Sequence, residues 1–172
     1  MGTQTKIEWT DHTWNPWRGC AKVSAGCANC YAEHQANRRP DLLGEWGPGG
    51  TRVMAAESYW RLPSKWNRDA EAAVEMRRVF CGSMMDFFED RPELRLPRAR
   101  AWRIMIYTPH LDWLLLTKRP DEAKRWFDDW ADLTGESDEP QLVRGPEETR
   151  RVHPSGRGRI FAGYSRPNRP RP

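Results

Sequence analysis

Residues Trp14 to Tyr31 read WNPWRGCAKVSAGCANCY, and within them Cys20, Cys27 and Cys30 follow the spacing C-x6-C-x2-C. Gly19 and Gly26 each directly precede a cysteine. Glycine lets the backbone bend and approach closely, as three thiolates converging on one inorganic centre require. A structural zinc site is closed by four Cys or His ligands, whereas three thiolates on a 4Fe-4S cluster leave one iron free for a substrate or cofactor. Zinc stays open as an alternative. His12 or His34 would supply the fourth ligand, since His34 lies four residues after Cys30 and shares its face on a helix. The remaining alternative is three buried thiols with no metal. Cys81 stands outside the set, in an apolar run beside Phe80, where a small buried thiol is the ordinary reading.

Outward from this loop, strand-like and helix-like segments alternate without an internal repeat, the pattern of a parallel α/β sheet. A first helix is predicted from Cys27 or Ala28 to about Arg39, stopped by Pro40 and followed by the loop LGEWGPGG. Arg78 to Gly82 reads as a buried strand opening into a loop. A helix follows from about Pro97 to Tyr107, with Ala101, Trp102, Met105 and Ile106 on one face. Leu111 to Thr117 reads as a second buried strand. The last helix spans Asp121 to Leu133, with Ala123, Trp126, Phe127 and Trp130 as its apolar stripe and Pro120 suited to its first turn. Ligands of such sheets gather at the carboxyl ends of the strands, which here places Ser83 and Asp86 after one strand and Lys118 and Arg119 after the other.

The 172 residues fit one domain, and a 38% hydrophobic share with 11% aromatic is enough for a core. No stretch approaches the roughly 20 consecutive apolar residues of a membrane span. The first residues, MGTQTKIEWTDHTW, lack the apolar segment of a secretion signal, so a cytoplasmic location with reduced cysteines is expected. The net charge of +4 resides mostly in the last 38 residues, which hold eight Arg against five acids. The chain thus divides into an α/β part carrying the cysteine loop over 1–134, a flexible loop over 135–158, and a strand remnant with a disordered basic tail over 159–172. Nucleic acid is a weak candidate partner for that tail. A structural zinc or nucleic-acid module is the non-enzymatic alternative, with Trp14, Trp17 and Trp46 stacking on bases beside Arg18. Hydrolase and phosphate-loop signatures, G-x-S-x-G, G-x4-G-K-[ST] and H-E-x-x-H, are absent from the sequence.

The ordered segments KIEWTDHTWNPWRGCAKVSAGCANCYAE, RRVFCGSMMDFFED and WLLLTKRP resemble a phage-associated family of largely uncharacterised proteins that are similar to radical S-adenosylmethionine (radical SAM) enzymes. The resemblance covers about Lys6 to Arg119 and implies a partial (β/α) barrel with a three-cysteine loop after its first strand. Cys20, Cys27 and Cys30 would then ligate a 4Fe-4S cluster whose free iron chelates S-adenosylmethionine. Reductive cleavage of the sulfonium would give methionine and a 5'-deoxyadenosyl radical that takes hydrogen from an unknown substrate. The first cysteine gap is six residues instead of the superfamily's three, and Asn29 stands where an aromatic precedes the last cysteine. Tyr31, one position beyond that cysteine, is the candidate replacement at the adenine. Ser83 and Asp86 would meet the ammonium or ribose of the cofactor, and Lys118 or Arg119 its carboxylate or an anionic substrate. The resemblance stops within GRIFAGYS, so the expected barrel is incomplete on its C-terminal side and open to completion by a partner chain.

Overall fold

Leu111, Trp113, Leu115 and Thr117 are buried while the residues between them are less so, the period of two that a strand with one core-facing side dictates. This strand, β5 (Leu111–Thr117), lies at the centre of the parallel part of a mixed sheet. In the computed structural model the backbone is described for residues 5–134, 143–144, 148–152 and 159–164, and side chains for residues 5–129. Along the chain run β1 (His12–Trp14), β2 (Trp17–Arg18), α1 (Tyr31–Arg38), α2 (Pro40–Leu43), β3 (Val53–Met54), α3 (Glu57–Trp60), α4 (Leu62–Ala72) and β4 (Arg77–Cys81). After them come α5 (Arg95–Ile106), β5, α6 (Pro120–Thr134), β6 (Val143–Arg144), β7 (Glu148–Val152) and β8 (Arg159–Tyr164).

The large sheet has the order β1-β4-β5-β8-β7-β6. Its first four strands are parallel, and β7 and β6 add in antiparallel fashion at one edge. The protein is therefore mixed α/β. Among the described residues the sheet is open, with β1 and β6 as its edges and no barrel closed. Strands β2 and β3 form a separate antiparallel pair.

Trp14, Cys81 and Leu115 fall in one register row across β1, β4 and β5, and all are buried. Val79 and Trp113 form the next row on the same face. Trp60, Trp66, Leu94, Ala101, Trp102, Met105 and Ala123 complete the core against that face. The stripe read on α5 is accordingly inward, with Ile106 at its margin, as are Ala123, Trp126 and Phe127 of α6; Trp130 lies outside the residues whose side chains are described. A second, smaller cluster joins Ala32, Ala36, Leu43 and Met84, with Cys30 and Trp46 packed against it. It seats α1 and α2 on the turn after β4, which fixes the end of the cysteine loop.

Strands β6 and β7 fall within 135–158, which composition marks as a loop; the other residues of that stretch lie outside those described. Strand β8 coincides with the strand-like run expected near residue 159. The helices α3 and α4 have no counterpart in the elements read from the sequence. Trp60, Pro63, Trp66 and Ala70 are their buried residues, recurring at intervals of three and four. No helix among the described residues is long and apolar enough to cross a membrane.

Candidate functional site

At the carboxyl ends of β4 and β5 lies a cavity of about 280 Å³. Cys20, Cys27 and Cys30 all line it, and so do Tyr31, Ser83, Asp86, Lys118 and Arg119. The residues that the resemblance assigns to cluster and cofactor thus line one space, although they come from segments nearly a hundred positions apart.

The chain reaches this cavity through a sharp exit from β2. Gly19 has φ +106°, a conformation that side-chain-bearing residues rarely adopt, and its N–H donates to Met84 O at 3.1 Å. A Cβ there would lie 2.7 Å from Thr51 O. Gly82, at φ +97°, turns the chain out of β4 on the facing side. Asn15, buried just beyond β1, ties the end of that strand to the turn after β4: its amide nitrogen donates to Ser83 Oγ at 2.8 Å, and its oxygen accepts from Met84 N at 2.8 Å. Tyr31 Oη donates to Ser83 O at 2.6 Å.

Asp86 is buried and fully engaged. Its carboxylate accepts from Phe88 N (3.0 Å), Thr117 Oγ1 (2.8 Å) and Lys118 N (2.9 Å), and Arg119 Nη1 stands 3.3 Å away. It splices the end of β4 to the end of β5. Glu89 is a second buried hub. Arg52 meets it through two nitrogens at 2.6 and 2.7 Å, Ala21 N donates to it at 3.2 Å, and Arg119 Nη2 lies at 3.5 Å. Such forked guanidinium–carboxylate contacts give geometric definition as well as attraction.

The three thiols are not equivalent. Cys20 Sγ donates to Ala21 O at 3.5 Å and accepts from Arg119 Nη1 at 3.4 Å. Burial pushes its thiol up to about 11, against the lowering influence of the Arg119 charge and hydrogen bond. At Cys27 burial acts in the same upward direction, but hydrogen bonds from the Val23 and Ser24 backbone and the Ser24 hydroxyl, with the Lys118 charge, bring the thiol below its ordinary value. Cys27 Sγ and Ser24 Oγ are 3.8 Å apart. Cys30 precedes the first turn of α1. Among the described residues no group of three His, Cys, Asp or Glu side chains is gathered as a metal site. The three cysteines share a cavity wall without meeting at the common centre expected from the sequence, and Cys20 Sγ is engaged by Arg119 instead.

Cys81 is fully buried in β4, does not line the cavity, and has its thiol raised by burial. Neither candidate histidine reaches the loop. His12 opens β1, stacked on Trp66 at 4.2 Å between ring centroids, and His34 is exposed on α1. Trp14 and Trp17 are wholly buried, so neither ring offers a face to a base, and only Trp46 of that set lines the cavity. Sequence reading missed Asn15, Arg52 and Glu89. Of these, Asn15 and Glu89 stood within the quoted segments WNPWRGCAKVSAGCANCY and RRVFCGSMMDFFED, but no ligand spacing marked either.

The chain is thus a mixed α/β protein with a thiol-lined cavity at the carboxyl ends of its parallel strands, where ligands of such sheets gather. Residues 4–149 match the family described as "Protein of unknown function (DUF5131)", and the chain belongs to that family. No curated protein and no solved structure matches it.

Proposed function

We propose that the protein is an iron–sulfur enzyme of the radical SAM kind, with Cys20, Cys27 and Cys30 as ligands of a 4Fe-4S cluster and S-adenosylmethionine as its second cofactor. The observation that carries this reading is the meeting of all three loop cysteines with Tyr31, Ser83, Asp86 and Lys118 around one cavity. The donor set suits such a group: among the described residues three thiols and no histidine line that wall, and the Asp86 carboxylate, which could otherwise be a fourth zinc ligand, is engaged by Phe88, Thr117, Lys118 and Arg119. Held by Cys20, Cys27 and Cys30, a reduced cluster would supply the one electron needed for reductive cleavage of the sulfonium to methionine and a 5'-deoxyadenosyl radical.

The chain's own groups divide the remaining tasks. Lys118 keeps two of its three ammonium donors beyond the bond it makes to Gly26 O, enough to meet a carboxylate. Ser83 Oγ accepts from Asn15 and keeps its own proton to donate. The Tyr31 ring stands at the cavity wall where an adenine would pack. Asp86 has its oxygens committed to Thr117, Lys118 and Arg119, so its part is to hold the two strand ends together beneath the ligand. The partial (β/α) barrel belongs to the same proposal. It is supported by the four parallel strands and by a cysteine loop that follows the first of them.

Anaerobic reconstitution with iron and sulfide, followed by analysis of iron, acid-labile sulfide and zinc, tests this reading. Wild type and Cys81→Ala should each carry about four iron and four sulfide per chain, the composition of the cluster. Cys20→Ala, Cys27→Ala and Cys30→Ala should lose them. Stoichiometric zinc without sulfide would replace the proposal with a structural metal site.

A further inference from the structure

The two residues that follow β5 reach both arms of the cysteine loop. Lys118 Nζ donates to Gly26 O, next to Cys27, and Arg119 donates to Ala21 O at 2.8 Å and to Cys20 Sγ at 3.4 Å. These contacts close over sequence separations of 92 to 99 residues. Their backbone is itself fixed, since Lys118 N donates to Asp86 and Arg119 N to Thr117 Oγ1 at 3.0 Å. The guanidinium is held from behind by Asp86 and Glu89, and Glu89 also takes the N–H of Ala21. Ala21 is therefore gripped at both its N–H and its carbonyl. Nothing comparable is needed for strand pairing, because these bonds leave the sheet and run to the loop.

We propose that Lys118 and Arg119 are positioning residues: together they latch the two arms of the cysteine loop to the end of β5 and set two cations beside its thiols. The proposal rests on the reading of the loop as a cluster holder. As cluster ligands the three cysteines would be thiolates and give that wall a negative charge, to which reduction of the cluster would add another. Cations and hydrogen bonds at the sulfurs oppose that build-up and raise the potential at which the electron is accepted. The pair thus acts on geometry before the cluster is present and on its potential afterwards.

The test uses the full chain as wild type, Lys118→Met, Lys118→Arg and Arg119→Lys. Lys118 is the safer target, since Arg119 neutralises buried carboxylates and its replacement can cost the fold. In the metal-free protein, amide hydrogen exchange should quicken by about tenfold around residues 24–27 in Lys118→Met and around 20–22 in Arg119→Lys, the loss of one hydrogen bond to a charged group. Exchange in β4 and β5 should not change. After reconstitution, the midpoint potential of Lys118→Met should fall below that of wild type, and Lys118→Arg should restore it. Unchanged loop exchange in Lys118→Met overturns the latch, and an unchanged potential overturns the electrostatic role. A wild-type protein that takes up no iron would sink the cluster reading, while the exchange result would still decide the latch.

Discussion

Glu89 sits beneath the cysteine loop with both carboxylate oxygens committed, and Arg52, its partner, has no exposed side-chain surface. Removing one member of a buried ion pair leaves the other desolvated and uncompensated, which costs about 3–5 kcal/mol. Glu89→Ala should therefore lower stability by about that much in denaturant unfolding, and a loss below about 1 kcal/mol would mean that water reaches Arg52. Gly19 makes a separate demand. Gly19→Ala combines a positive φ with a Cβ set against Thr51 O, so a loss of about 1–3 kcal/mol is expected from the same measurement. The cysteines and their flanking glycines were legible because ligand spacing is a local property. Arg52 and Glu89 were not, since 37 residues separate them and neither lies in a spacing that any chemistry requires.

Helices α5 and α6 announced themselves by period, and strand β5 by its apolar run, in which the structure adds an alternation of burial that the run of three leucines concealed. Strand β1 has only three residues and no room for a period to appear. Helices α3 and α4 are different, since Trp60, Pro63, Trp66 and Ala70 do carry helical spacing, diluted by the charged residues of LPSKWNRDAEA. Trp66 anchors α4 by stacking on His12 with planes 4° apart, which ties the helix to the first strand. Trp66→Ala should cost about 3–5 kcal/mol, as large aromatic truncations in cores do. The check is thermal unfolding with a near-ultraviolet signal; a change under about 1 kcal/mol would show that α4 adds little to the sheet.

At the scale of the molecule, the parallel arrangement of β1, β4 and β5 brings the residues after each of these strands to one end. That is why a loop at residues 20–30 and a dipeptide at 118–119 meet, and why the site was foreseeable once strand directions were assigned. The antiparallel addition of β7 and β6 was hidden, because ETRRV is charged and pairs through its backbone in a stretch whose composition reads as loop. On the function proposed above, the thiol-lined cavity supports reductive cleavage of S-adenosylmethionine. The measurement that bears on it most directly is 5'-deoxyadenosine released by the reconstituted, chemically reduced protein given S-adenosylmethionine alone. Release by wild type and by Cys81→Ala, with none from Cys20→Ala, Cys27→Ala or Cys30→Ala, is the expected result. Cluster-loaded wild-type protein that releases no 5'-deoxyadenosine would contradict it.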